Sequence, residues 1–214
     1  MRPPASPQWI DLTLPLRPGM PVYPGDPPVA FLTHSTLSKD GCRVTAVRIG
    51  THAGTHLDAP AHFLEAGAAV ETLPLPALVG PARVVDLSDV PPGGGIGRER
   101  LGAVAPGERL LLRTDWSRRF GEPAYYEEFP SLAVNTVREL AAKRVALLGL
   151  ETPSLCAAHD ADAVAHRALL GAGVVIVEGL TGLAVLPERV WLIALPLRLV
   201  GLDGSPCRVI AVGE

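Results

Sequence analysis

A mixed α/β fold, mostly strand with two or three helices, is what this 214-residue sequence predicts. Three observations carry that expectation. Short β-branched and leucine-rich runs recur between turn signals. Only two stretches keep a helical spacing of apolar residues. The 22 glycines and 22 prolines are spread along the chain rather than gathered in one block, which suits many short elements joined by tight turns. With 48% apolar and 19% charged residues the chain can bury a sizeable core. Its length fits one domain spanning residues 1–214, and no linker or internal repeat divides it.

The elements follow in order. PGMPVYPGDPP, residues 18–28, cannot be regular helix, because each proline fixes φ and lacks a donor. CRVTAVRIG, 42–50, alternates partially and reads as a strand. ARVVDLS from Ala82 and ERLLLRT from Glu108 read as strands, with PPGGG at 91–95 a loop between them. Ser131 is expected to cap a helix that turns Leu132, Val137, Leu140 and Ala141 inward, since a serine oxygen can take a free N–H of the first turn. RVALLGL from Arg144 is then a buried strand. A second helix is expected from near Asp160 to Gly171 or Gly173, with Val164, Ala168 and Leu169 inward. VVIVEGL from Val174, WLIALPL from Trp191 and CRVIAV from Cys207 complete the strands.

Composition excludes several function classes. The net charge is −3 and no long basic run occurs, so nucleic acid is not an expected partner. The arginine pairs near Arg98 and Arg118 read as solvated charge. WLIALPLRLVGL is broken by Pro196 and Arg198 and is too short to span a bilayer. MRPPASPQWI lacks the cationic and apolar regions of a leader. Cys42, Cys156 and Cys207 are odd in number and far apart, which suits a reducing compartment. A soluble cytoplasmic protein is expected. The mean hydropathy of +0.27 points to a buried subunit interface, hence a homodimer or larger homo-oligomer. No GxSxG elbow occurs, so serine-hydrolase chemistry finds no support.

The chemistry concentrates in HAGTHLDAPAHF, residues 52–63. Three of the six histidines, His52, His56 and His62, fall there with Asp58 between them. Even spacing would place only about 0.3 histidines in an eleven-residue window. Imidazole and carboxylate are the donors of Zn, Mn and Fe sites. Crowded in one segment they would repel and desolvate one another without a cation, so His52, His56 and Asp58 read as metal ligands. His62 reads as a ligand, a proton-transfer group or a packing residue beside Phe63. The segment is expected to be a loop leaving the 42–50 strand, because Gly54 and Pro60 oppose a regular helix. Gly54 would let the backbone approach an ion, and Thr51 and Thr55 would orient the ligands. A second cluster lies later. His166 sits in the expected second helix and Glu178 closes the apolar strand VVIVE. A carboxylate there is costly to bury unless something pairs with it; exposure at the strand end is the other reading. His34 and His159 receive no role.

HAGTHLDAPAHF resembles the signature of the cyclase-type metal-dependent hydrolases, the family that includes bacterial kynurenine formamidases (arylformamidases) and isatin hydrolases. The resemblance extends through DLTLPLRPGMPVYPGDPPV, LGLETPSL, the step from His166 to Glu178, and LIALPLRLVGLDGSPCRVI. It implies a swivelling β/β/α fold and an interlocked dimer. It implies two divalent ions per subunit, Zn first and Mn second. His52 and His56 would bind one ion and His166 the other, with Asp58 and Glu178 bridging both. His62 matches the family's proton-transferring histidine. Tyr23 stands where kynurenine formamidases carry a substrate-contacting tryptophan. Glu151 stands where the middle motif more often has aspartate, and Cys156, His159 and Asp160 depart from the run that follows. The implied activity is hydrolysis of N-formyl-L-kynurenine to kynurenine and formate by a metal-bound hydroxide. The alternatives are a cyclic amide such as isatin, or a lactone, as substrate of the same site. A binding module held by one structural zinc is the rival of a different class. Structural zinc sites are commonly cysteine-rich, and no cysteine neighbours these histidines.

Overall fold

The computed structural model describes residues 8–213. The reading of the N-terminus as leaderless falls mostly outside them. The chain begins with β1 (Ile10–Asp11) and then β2 (Ala30–Ser35), a one-turn helix α1 (Leu37–Asp40) and β3 (Val44–Arg48). β4 (His56–Asp58), α2 (Leu75–Leu78), β5 (Val79–Asp86), β6 (Gly95–Ile96), β7 (Arg109–Arg113) and β8 (Ser131–Leu132) follow. The C-terminal half holds α3 (Val134–Lys143), β9 (Leu147–Leu150), α4 (His159–Gly171), β10 (Val175–Glu178), β11 (Arg189–Pro196) and β12 (Gly204–Gly213). Strand content is high and only α3 and α4 exceed two turns, as the sequence predicts.

Eight strands form one sheet in the order β1-β12-β11-β5-β7-β9-β10-β4, and β12 also pairs with β4. That last pairing closes the sheet on itself as a barrel. β5, β7, β9 and β10 run parallel; β4, β11 and β12 pair antiparallel. The parallel strands are buried on both faces, which is why they read as unbroken apolar runs rather than alternating ones. In β7, Leu111 points into the barrel with Leu147, Val175, Val177, Leu192 and Val209. Its neighbours Leu110 and Leu112 point outward with Leu148 and Ile176, against Val137 and Leu140 of α3 and Leu169 of α4.

Several expectations are corrected. Ser131 does not cap α3; it lies in β8, and the residue before α3 is Ala133. Ser131 instead bonds Ala157 N through its hydroxyl. The buried face of α4 is Asp162, Ala165, His166, Leu169 and Leu170, while Ala168 is exposed and Val164 is 62% exposed. The helix is turned so that two polar side chains go inward. The 42–50 segment is a strand, but β3 is exposed along its length. Among the described residues it pairs only with β2, with Phe31 opposite Val47 and Leu32 opposite Ala46.

Candidate metal centre

Strand pairing assembles the site. The histidine segment is not wholly loop: His56–Asp58 is a buried strand wedged between β10 and β12. His56 and Asp58 are two residues apart and so share a face, while Leu57 between them enters the barrel core. The register sets Glu178 opposite His56 and Ile176 opposite Asp58. Opposed residues lie on the same side, so the Glu178 carboxylate stands beside the His56 ring. Ile176 of that side packs among the residues under α4, and from α4 comes His166. Glu178 is only 4% exposed, so the exposed-strand-end reading fails.

The distances are short. His56 Nε2 lies 3.5 Å from Asp58 Oδ1 and 3.5 Å from Glu178 Oε2. His166 Nε2 lies 3.4 Å from Asp58 Oδ2 and 3.3 Å from Glu178 Oε1. Each carboxylate therefore reaches one histidine in β4 and one in α4. His52, in the turn before β4, sets Nδ1 2.9 Å from Asp58 Oδ1 and Nε2 3.0 Å from Asp203 Oδ2. His62, on a short 3₁₀ turn (Pro60–His62), stacks on His52 with ring centres 3.9 Å apart. The structure thus brings together the six residues expected as ligands or proton carrier, His52, His56, Asp58, His62, His166 and Glu178.

Backbone carbonyls orient two of the rings. His56 Nδ1 is 2.9 Å from Gly54 O, and His166 Nδ1 is 3.0 Å from Asp162 O. A carbonyl only accepts, so each Nδ1 donates and each Nε2 is turned to the carboxylates. Gly54 has φ +65°, a conformation that favours glycine, and its role is to aim that carbonyl. The Thr55 hydroxyl hydrogen-bonds no histidine; it donates to Gly179 O and accepts from Leu14 N. Thr51 lies against Asp203.

The electrostatics are those of a site that draws cations. Burial works to raise the Asp58 carboxyl, but the His166 and His52 side chains beside it hold it well below its ordinary range. Glu178 is lowered by His166 and His56 against burial and the Asp58 charge. Burial would discharge His52 and His166, yet the surrounding carboxylates push them up to about 10 and about 11. His62 is lowered by burial, with the neighbouring His52 and His166 charges adding to the effect. Asp58 Oδ2 is buried without a hydrogen-bond partner, and such an atom is costly to leave so. The donor atoms of His52, His56 and Asp58 lie within 4.8 Å of one another, as do those of Asp58, His166 and Glu178. These residues fit divalent metal in number, chemistry and charge.

Above them opens a cleft of about 280 Å³. Its wall is aromatic: Tyr23, Phe63, Phe120, Tyr125 and Tyr126 line it, and His159 stands on its rim. Tyr23 meets Tyr126 edge-on with centres 5.8 Å apart. Phe63 stacks on His166 at 4.4 Å. Sequence reasoning missed Asp203, whose only local signal is its place in LDGSP. It also missed Asp162, which accepts from Ser154 Oγ and Cys156 N at 2.9 Å and fixes the start of α4. Glu151 is buried and takes hydrogen bonds from Thr114 N, Asp115 N and Ser117 Oγ. It pins the turn that leads into Phe120, so it shapes the cleft wall without facing the histidines.

The Cyclase family model matches residues 10–156. The kynurenine formamidase of Salinibacter ruber is 37% identical over 209 residues, covering 94% of this chain and 95% of its own. The "predicted metal-dependent hydrolase from Bacillus stearothermophilus" superposes with a TM-score of 0.83 at 32% identity, covering 98% of this chain and 100% of that one. Isatin hydrolase A from Labrenzia aggregata, bound to benzyl benzoate, superposes with a TM-score of 0.87 at 28% identity, covering 97% and 94%. The chain belongs to the Cyclase family.

Proposed function

We propose that this chain is an arylformamidase that hydrolyses N-formyl-L-kynurenine to kynurenine and formate. The observation that supports it best is the floor of the cleft. Two buried carboxylates, each within 3.5 Å of two histidines, lie under a wall of five aromatic side chains. The floor suits a polar carbonyl centre and the wall suits an aryl ring. The similarity to kynurenine formamidases along almost the whole chain supports the same reading.

His52, His56, Asp58, His166 and Glu178 would hold two divalent ions between them. The nitrogen-rich donor set favours Zn, with Mn second. When bound, such a pair activates water and polarises a carbonyl. The residues of the chain do the rest. The aromatic wall, with Tyr23 in it, orients the aryl group so that the formamide faces the floor. His62, half-buried beside His52 and with its pKa lowered by burial, takes a proton from the attacking water and passes it to the aryl amine nitrogen as the C–N bond breaks. His52, His56 and His166 stay fixed, each by the partner on its other nitrogen.

A cyclic amide such as isatin is the second reading, favoured by the close superposition on isatin hydrolase A. Assaying formate release from N-formyl-L-kynurenine beside ring opening of isatin separates the two. The proposal expects the first to be faster in kcat/KM by at least tenfold. Faster isatin opening would replace the substrate, and one tightly held ion with no turnover would replace the enzyme by a zinc-held binding module. The proposed assembly is a homodimer. It is supported by the β2–β3 ribbon, which leaves Phe31, Leu32, Val44 and Val47 exposed. Clustered apolar exposure of this kind marks contact surfaces.

A further inference from the structure

Asp203 belongs to none of the roles assigned so far, yet one of its oxygens faces two site histidines. Oδ2 lies 3.0 Å from His52 Nε2 and 3.7 Å from His62 Nδ1. The two rings are stacked 26° from parallel, so one carboxylate oxygen at their shared edge is hydrogen-bonded to His52 and faces His62 as a charge. The backbone around it is held on two sides. Asp203 O accepts from Ala59 N and Leu202 O accepts from Val70 N, each at 2.9 Å. The next residue, Gly204, pairs with Asp58. A Cβ at Gly204 would lie 2.8 Å both from His52 Cε1 and from the Leu57 carbonyl oxygen of β4, closer than real side chains approach. The Asp203–Gly204 pair is thus a seat for the His52 ring: glycine leaves room for it and aspartate takes its outer nitrogen.

We propose that Asp203 is a positioning residue shared by two histidines, orienting His52 toward the metal and His62 toward the substrate. The inference rests on the metal-hydrolase reading above. The chemistry is that of a carboxylate–histidine–metal arrangement. A ligand histidine that donates its second N–H to a carboxylate keeps its tautomer and gains basicity. His56 uses a backbone carbonyl for this, His166 uses the Asp162 carbonyl with that residue's carboxylate 3.4 Å away, and His52 uses a carboxylate that also faces His62. A purely stabilising role fits poorly. The Asp203 side chain is 41% exposed, and exposed ion pairs contribute little to folding.

The test uses Asp203→Ala, Asp203→Asn and Gly204→Ala in the full chain. Zinc affinity is measured by competition with a chromophoric chelator, and kcat and KM are measured with N-formyl-L-kynurenine at saturating zinc. Melting of the metal-free proteins checks folding. Asp203→Ala is expected to weaken the tighter-responding zinc by about 10–100-fold and, at full loading, to lower kcat by more than about tenfold with KM within about threefold. Asp203→Asn, whose amide oxygen still accepts from His52, is expected to restore most of the affinity but only part of kcat. Gly204→Ala is expected to weaken zinc with the carboxylate intact. Parental affinity in Asp203→Ala, or parental kcat at full loading, overturns the shared role. If the parent hydrolyses neither formamide nor isatin, the substrate reading fails while the affinity series still decides the placement of Asp203.

Discussion

At the scale of single residues the site divides into groups that hold charge and one that moves it. Asp58 and Glu178 are the buried carboxylates that His52, His56 and His166 surround. His62 stands outside that shell, against the His52 ring. Replacing His62 by Ala is expected to leave metal content at the parental level and to lower kcat by about a hundredfold or more; elemental analysis and steady-state kinetics on one preparation check both. Replacing Glu178 by Ala removes a carboxylate that lies within 3.5 Å of two histidines, so bound metal per chain is expected to fall. Full retention of metal in that variant would remove Glu178 from the ligand set. The sequence exposes His52, His56, Asp58 and His62 because eleven residues hold them all. Asp203 is invisible there, since nothing local distinguishes a surface aspartate from one that a strand pairing carries beside His52.

At the scale of elements, β4 and α4 matter most, and each departs from the simplest reading of its sequence. Three residues of β4 form a central strand because β10 and β12 supply ladder partners on both sides. A tripeptide gives no periodicity by which to detect that. In α4 the apolar residues Val164 and Ala168 suggest one inner face, while the actual face carries Asp162 and His166. A helix that lowers polar side chains into a site breaks the pattern by which helices are read. The long parallel strands β7, β9 and β10 are legible because both faces are buried and their apolar runs are unbroken. Between β5 and β7, Arg83 donates to Glu108 at 2.7 Å and also to Leu101 O. Burial works to raise the Glu108 carboxyl, but Arg83 and Ala105 N–H hold it below its ordinary 4.5. A depressed folded pKa means stability present above the unfolded value and lost as pH falls through the folded one. Glu108→Gln is therefore expected to cost about 1 kcal/mol at pH 7, a gap that closes at an acid pH low enough to protonate the parent's carboxylate. Urea denaturation at both pH values checks this, and an equal gap at both would contradict it.

At the scale of the whole molecule, closure of the sheet is what makes the site. The pairing of β12 with β4 brings residue 204 to residue 58, and that of β10 with β4 brings residue 178 to residue 56. Halves of the chain more than a hundred residues apart thereby meet on one face. No composition or spacing rule reveals such a closure; the resemblance of several separate motifs to one family is what points to it. No helix among the described residues is long and apolar enough to cross a membrane, and Cys42, Cys156 and Cys207 are free thiols. Because the proposed ions join residues from both halves, metal binding and folding are coupled. At a thousandfold excess over Kd a ligand adds about 4 kcal/mol, so chelation is expected to lower Tm by about 10 °C for a chain of this length.

The central claim is that the Asp58–Glu178 floor is a two-metal hydrolytic centre. Titrating zinc into chelated protein while following formate release from N-formyl-L-kynurenine tests it most directly. The account predicts no turnover before metal is added and a rise that saturates at two ions per chain. Full turnover in the chelated protein, or saturation with no formate released, would contradict it.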